Sequence, residues 1–336
     1  MELLQNISLK QYNTLGIEVN AKQFARFSTA DELAECCESL NNQEILILGG
    51  GSNILFTKNF EGLVLKNEIK EITVIHEDEN YVDVKVGAGE IWHEFVIDCI
   101  NNNRAGVENL SLIPGNVGAG PMQNIGAYGV ELKEVFYCLE AYSLADKKIF
   151  TFTLNDCEFG YRESIFKRQY KNQFVILNVT FRLRKYPKYN TQYGSIEQEL
   201  ERMGVKELSI AAISQAVMNI RNSKLPDPKQ IGNAGSFFKN PSVPAEKFEV
   251  LKSEFPEIVG FPAKDGAVKL AAAWMIEQCG WKGYRKGDAG CHEKQALVLV
   301  NYGNAQGSDI YDLSKNIIES VKNRFGVELE REVNIV

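Results

Sequence analysis

Hydrophobic positions in the first third of the chain come in short runs punctuated by glycine. "EILILGGGSNILF" (44–56) is an apolar run, a glycine turn and a second apolar run. "LVLKN" (63–67), "ITVIH" (72–76) and "YVDVKVGAG" (81–89) alternate with period two, as half-buried strands do. The middle continues with "EVFYCLEAYSLADKKIFTF" (134–152) and "FVILNVTFRLRK" (174–185), a strand predicted to place Val175, Leu177, Val179 and Phe181 on one face. "KYPKYNTQYGS" (185–195) interrupts this pattern and reads as a surface loop. Beyond it, Ile210, Ile213, Val217 and Ile220 recur at helical spacing until Pro226 and Pro228 stop the helix. A helix over "KLAAAWMIEQCG" (269–280), a strand "QALVLVN" (295–301), a helix from 308 to 325 closed by Gly326 and a terminal strand over 327–336 complete the expectation. No internal repeat or low-complexity tract appears.

Composition narrows the class. A chain of 336 residues favours two or three packed domains, and 44% hydrophobic with 24% charged residues is ordinary for a folded globular protein. The N-terminal stretch has no basic region followed by an apolar run, and no segment approaches the length of a membrane span, so a cytoplasmic protein without a membrane partner is expected. A net charge of −7 with no basic run argues against a nucleic-acid partner. Seven cysteines without a CxxC pair point to reduced thiols, not to a disulfide framework or a zinc site. The three histidines lie far apart, which leaves a metal site or a Ser/His/Asp triad without a centre. Cys291 and His292 are adjacent, but neighbours in a strand point to opposite sides.

The glycine loops are the first chemically informative feature. In "GGGSNI" the dinucleotide fingerprint fails because position 54 is Ile, and no GK[ST] completes a phosphate-binding loop. What remains is a run of bare backbone N–H groups with Ser52 and Asn53, which suits a pyrophosphate nest or a tight turn between strands. "LIPGNVGAGPMQNIGAYG" (112–129) carries Gly115, Gly118, Gly120, Gly126 and Gly129, with Gln123, Asn124 and Tyr128 as polar contacts. Loops of that length are usually functional. With "VGAGEIW" (86–92), three such loops suggest a long cofactor laid across bare backbone.

At this point the motifs carry a resemblance. "LGGGSNIL", "VGAGEIWHEFV", "IPGNVGAGPMQNIGAYG", "GYRESIFK", "KLPDP", "GNAGSFFKNP", "KLAAAWMIEQCG" and the terminal "LEREV", in this order, resemble the UDP-N-acetylenolpyruvoylglucosamine reductases, flavoenzymes of bacterial cell-wall precursor synthesis. The tyrosine-containing insert at 185–195 is similar to the longer of the family's two subtypes. The resemblance implies an α+β fold: a two-lobed FAD-binding domain of the vanillyl-alcohol-oxidase type over 1–218 (lobes about 1–66 and 67–218) and a substrate-binding α/β domain over 219–336. It also implies noncovalent FAD and NADPH as reductant; a monomer is expected. The substrate would be the enolpyruvyl ether of UDP-N-acetylglucosamine, reduced to UDP-N-acetylmuramate.

Residue roles follow from the resemblance and from the chemistry beside it. Hydride arriving at an enol ether conjugated to a carboxylate leaves an enolate, which needs oxyanion stabilisers and a proton donor, while the hydride itself must come from a cofactor. Arg162, whose guanidinium fork fits a carboxylate, is the stabiliser that the resemblance implies; read alone it better fits a surface ion pair with Glu158 or Glu163. Glu332 alternates with Glu328 and Glu330 on one strand face, and the family pattern singles it out as a carboxyl that hydrogen-bonds the enolate. Ser236 is expected to give the proton, with Gly235 allowing close approach and Phe237 and Phe238 excluding water; its alternative is a hydroxyl bonded to its own turn. FAD is assigned to Gly49, Gly50, Gly51, Ser52, Asn53, Gly115, Gly118, Gln123, Asn124, Gly126 and Ala127. The UDP-sugar is assigned to Tyr193, Lys224, Lys239 and Asn240, although Lys224 also suits a helix C-terminus. Phe261 departs from the family pattern, standing where long-subtype members have a tyrosine near the diphosphate. An oxygen-using flavin oxidase and a non-catalytic nucleotide-sugar sensor are the competing classes; the Arg162, Ser236 and Glu332 set would have no role in the first, and the second would tolerate its loss.

Overall fold

The computed structural model describes residues 2–38, 43–193, 195–263 and 266–336, so Gly194 of the tyrosine loop and the Lys264-Asp265 pair after Phe261 lie outside the described residues. The chain forms two compact units: Met1–Ile7, Ala21–Gly50 and Glu61–Ser223 make the first, and Ser8–Asn20, Gly51–Phe60 and Lys224–Val336 the second. One cut at 218/219 does not reproduce this division. Two N-terminal segments belong with the C-terminal part, and the last crossing lies at Ser223/Lys224.

Seven α-helices are described: α1 (Ala30–Glu38), α2 (Trp92–Asn101), α3 (Ile196–Arg202), α4 (Ile210–Lys224), α5 (Ala245–Glu254), α6 (Ala272–Gln278) and α7 (Gly307–Phe325). None is long and apolar enough to cross a membrane.

The first unit holds two larger sheets. One orders Leu4–Ser8, Asn20–Phe27, Phe60–Asn67 and Ile45–Leu48, the last two parallel with Ile45 opposite Leu63. The other is antiparallel and orders Ile149–Thr153, Phe136–Ser143, Phe174–Arg184, Tyr81–Gly87 and Ile72–Glu77. The strand Phe174–Arg184 departs from the single apolar face read from its alternation. Its register against Phe136–Ser143 slips between Glu140 and Ala141, so that Ala141 faces Ile176 and Tyr142 faces Val175. A bulge of one residue exchanges the two faces beyond it. Val175 and Leu177 therefore join the core of Phe27, Leu33 and Leu65, whereas Ile176, Val179 and Phe181 join the core of Trp92 and Phe95 from α2. In that second core Trp92 meets Phe181 edge-on at 5.8 Å, and its indole N–H donates to the Leu110 carbonyl.

The second unit places Gly232–Ser236, Val298–Asn301, Ala289–Cys291 and Arg285–Lys286 in one sheet and Ser242–Val243, Val268–Leu270 and Gly260–Pro262 in another. The two apolar runs flanking "GGGSN" separate: Ile45–Leu48 lies in the first unit, and Ile54–Leu55 pairs in parallel with Asn334–Ile335 in the second. Lys269 and Leu270, expected to begin a helix, belong to a strand, and α6 starts at Ala272, whose N–H donates to the Asn240 side chain. α7 ends on Gly326 in the left-handed region (φ 63°), as the sequence predicts. Of the terminal strand expected over 327–336, only Asn334–Ile335 is in a sheet, yet Val327, Leu329 and Val333 are buried and Glu328 and Glu330 exposed, which keeps the alternation.

Candidate functional site

Within the first unit the glycine loops meet. A Cβ on Gly50 would lie 2.7 Å from Asn116 Oδ1 and 2.8 Å from Gly115 Cα, and one on Gly118 would lie 2.5 Å from the Ala88 methyl. Gly118 N–H donates to Ala88 O and Val117 N–H to Glu90 O, so "VGAGEIW" and the 112–129 loop are laced together. Lys66 ties in Gly49 by donating to its carbonyl at 2.6 Å. Gly50 and Gly118 are required for this close packing of the loops, since a side chain at either would press on Asn116, Gly115 or Ala88.

Downstream, Gly126–Ala127 and Val130–Glu131 form a small hairpin whose turn residues, Tyr128 (φ 49°) and Gly129 (φ 80°), both have positive φ. Two expected site residues, Arg162 and Tyr193, converge on it. The Arg162 guanidinium donates to Gly126 O, and a Cβ on Gly126 would press on Nη1 at 3.0 Å. Arg162 stands in a tight turn closed by Gly160 and Glu163, itself in the left-handed region at φ 53°. Glu158, one of the two carboxylates proposed as a surface partner, pairs with Arg168. Tyr193, nearly half exposed, lies against the other side of the turn, 3.1 Å from where a Gly129 Cβ would stand. Asn109 holds the tyrosine loop there by donating to the carbonyls of Tyr128 and Asn190. Gln123 and Ala127 are half-buried on the same loop. Asn124 differs from expectation: its side chain turns inward and is engaged by Glu131, Gly160 and Lys133.

The structure adds Arg221, which sequence reasoning passed over. Its Nε is sealed from solvent without a hydrogen-bond partner, and burial lowers its pKa with only the Tyr128 phenol opposing. It makes no ion pair among the described residues. The signal was present: Arg221 follows Ser214 and Val217 at helical spacing, so a cation sits on the buried stripe of α4. Arg221 also acts on His93, whose pKa is lowered first by burial and then by this charge. His93 Nδ1 accepts from the N–H of Leu112, which is itself at φ 60°.

In the second unit Ser236 ends its strand exposed, opposite Val298 across a register shift that Gly235 accommodates at φ 69°. The turn is held by Asn233 Oδ1, which accepts from Gly235 N–H; among the described residues the Ser236 hydroxyl takes no part in it. Phe237 and Phe238 are fully buried, stacked edge-on at 5.4 Å, and anchor the strand. The terminal stretch runs alongside: Glu332 N–H donates to Phe237 O, Lys239 N–H to Glu330 O, and Phe238 bridges Arg331. Half-buried Glu332 is thereby fixed beside the residue that follows Ser236. Asn53 clasps the same stretch, donating from Nδ2 to Glu332 O at 3.3 Å and accepting from Asn334. Gly51 fits against Tyr12, with half-buried Ser52 between it and Asn53. Buried Lys239 pairs with Glu330 at 2.5 Å, Asn240 caps α6 through Oδ1, and exposed Lys224 is the last residue of α4. Phe261 is exposed on an edge strand opposite Lys269. The Cys291 thiol, pushed by burial up to about 12, donates to Ala296 O, a packing role consistent with the strand reading of that stretch.

Comparison with known proteins gives this arrangement its context. The UDP-N-acetylenolpyruvoylglucosamine reductase C-terminal domain matches residues 227–336, and the FAD binding domain matches 21–148. UDP-N-acetylenolpyruvoylglucosamine reductase of Flavobacterium johnsoniae is 48% identical over 337 aligned positions, covering 100% of both chains. That of Pseudomonas savastanoi pv. phaseolicola is 46% identical, covering 100% of this chain and 99% of its own. The crystal structure of UDP-N-acetylenolpyruvylglucosamine reductase from Thermus caldophilus shares the fold, with a TM-score of 0.70 at 22% identity over 99% of this chain and 98% of that one. The α+β fold with an FAD-binding domain is thus established, and FAD is the cofactor. Identity of nearly one half along the whole length of both chains leaves a single assignment: this chain belongs to the UDP-N-acetylenolpyruvoylglucosamine reductase family, a family of oxidoreductases.

Proposed function

We propose that the protein reduces the enolpyruvyl ether of UDP-N-acetylglucosamine to the lactyl ether of UDP-N-acetylmuramate, serving bacterial peptidoglycan synthesis in the cytoplasm. The observation that carries this reading is the pairing of the terminal stretch with the Ser236 strand, because it fixes a carboxyl-bearing residue beside a hydroxyl-bearing one on main-chain hydrogen bonds. FAD reduced by NADPH supplies the hydride. The laced glycine loops that carry Gly49, Gly50, Gly115 and Gly118 are assigned to this cofactor because they bring backbone together with no side chain between, with Gln123, Gly126 and Ala127 on the adjoining loop. Arg221, a half-buried cation with a sealed Nε and no ion pair among the described residues, fits its diphosphate. Gly51, Ser52 and Asn53 complete the residues assigned to FAD, and Asn53 also holds Glu332.

Each polar group has a defined task in this reading. Hydride enters at the terminal methylene, the electron pair of the C=C bond moves onto the adjacent carbon and its carboxylate, and a proton is then needed on that carbon. Arg162 stabilises the developing charge with a planar donor set, held in place through Gly126. Glu332 hydrogen-bonds the enolate oxygen. Ser236 delivers the proton from an exposed strand end that its own turn does not occupy. Tyr193, Lys224, Lys239 and Asn240 bind the UDP-sugar.

The test is an anaerobic visible spectrum of the FAD-loaded protein, bleached with stoichiometric NADPH and then given the enolpyruvyl substrate. Rapid return of the oxidised flavin spectrum is expected. A flavin that stays reduced until oxygen is admitted would make the protein an oxidase, and binding without reoxidation would make it a sensor.

A further inference from the structure

We infer that Asn124 is the positioning residue that sets Arg162 for the reaction, an inference that rests on the role given to Arg162 above. Asn124 is completely buried, and its backbone is in the left-handed region at φ 46°. Its Nδ2 donates to Gly160 O at 2.9 Å and to Glu131 Oε2 at 3.1 Å, while its Oδ1 accepts from Lys133 N–H at 3.1 Å. Gly160 is the first residue of the turn that carries Arg162, and its N–H and carbonyl both bond to Glu163. Two residues beyond Asn124, the Gly126 carbonyl accepts from the Arg162 guanidinium. Asn124 therefore fixes both the base of the arginine's turn and the strand that receives its head.

The residue type fits this task closely. Asparagine offers two donors and an acceptor on one short side chain and tolerates positive φ better than most residues. Aspartate keeps the shape and that tolerance, but it would set a carboxylate against the Gly160 carbonyl and the Glu131 carboxylate. Arg162 at φ 53° is a strained backbone that persists only while its surroundings hold it. Releasing the Gly160 clamp lets the turn relax, and a displacement of about 1 Å at such a group costs roughly 10²-fold in rate.

The experiment uses full-length, FAD-loaded protein carrying Asn124→Asp or Asn124→Gly, with Arg162→Ala beside them, all at equal flavin occupancy. Both half-reactions are followed by stopped flow. Flavin reduction by NADPH is expected near the wild-type rate for both Asn124 variants, with reoxidation by the enolpyruvyl substrate slowed roughly 10²-fold. Lowering the pH should bring the Asn124→Asp reoxidation rate back toward wild type measured at the same pH, because the protonated carboxyl can again donate to Gly160 O. Asn124→Gly, which keeps backbone freedom and has no side chain to protonate, should show no such recovery. Equal slowing of both half-reactions, or no pH recovery in Asn124→Asp, would reduce Asn124 to a structural residue and overturn the inference. Slow reoxidation in Arg162→Ala with wild-type reoxidation in both Asn124 variants would overturn it and leave the Arg162 reading standing. Wild-type reoxidation in Arg162→Ala would overturn both.

Discussion

Arg221 gives a prediction in which stability and cofactor affinity move in opposite directions. Its Nε is sealed from solvent and unbonded, and the cost of leaving one buried polar group unsatisfied is about 1–3 kcal/mol. Arg221→Met keeps an unbranched side chain and removes that cost, so the flavin-free protein should gain roughly that amount of stability. For a cooperative unit of about 150–250 residues each kcal/mol moves Tm by about 2–4 °C, so the apoprotein should melt a few degrees higher. Affinity should fall, because a charge-assisted hydrogen bond to a phosphate contributes about 1.5–3 kcal/mol, or roughly a 10- to 150-fold weaker Kd for FAD. The assay pairs thermal melts of the apoprotein with a titration of FAD by flavin fluorescence quenching. Arg221→Lys serves as a control that keeps the charge and should lose less affinity. An apoprotein that melts lower with an unchanged FAD Kd would mean that Arg221 only packs α4, and the reasoning from its unsatisfied nitrogen would be wrong.

Three further outcomes are expected. Ser236→Ala should leave flavin reduction by NADPH near wild type and slow substrate-driven reoxidation about 10²- to 10⁴-fold, with melting unaffected because the side chain is exposed; equal loss in both halves would remove it as the proton donor. Tyr193→Phe should raise KM about 3- to 10-fold with kcat unchanged, since a lost contact of about 1 kcal/mol common to ground and transition states affects binding alone, and an unaltered KM would count against that contact. His93 makes stability depend on pH. Its folded pKa is lowered, so the unfolded chain takes up the proton first, and stability is complete above the ordinary histidine value and lost as pH falls below it. The slope is at most about 1.4 kcal/mol per pH unit, and His93→Gln, which can still accept from Leu112 N–H, should flatten it in melts between pH 7 and 5; a slope unchanged by the substitution would place the acid sensitivity elsewhere.

Much of this protein is legible in the order of its residues, for a local reason. Strand alternation, the helical spacing of Ile210, Ile213, Val217 and Ile220, and the Gly326 stop each follow from backbone geometry within a few residues. Eight motifs in series identify the family and its cofactor, because motif order is a property of the chain alone. What the residues touch is another matter. Nothing in "GGGSN" says that Gly50 packs in one unit and Gly51 in the other. Nor does the strand Phe174–Arg184 announce the bulge that sends Val175 and Val179 to different cores. Asn124 reads as a ligand-facing amide and proves to be a clamp, since the carbonyl and carboxylate that engage it lie 36 and 7 residues away. Arg221 reads as a helix residue, and its Nε is sealed from solvent only once α4 is packed. Periodicity reports which side of an element is apolar, whereas hydrogen-bond partners and desolvation depend on segments far apart in sequence that only tertiary packing brings together.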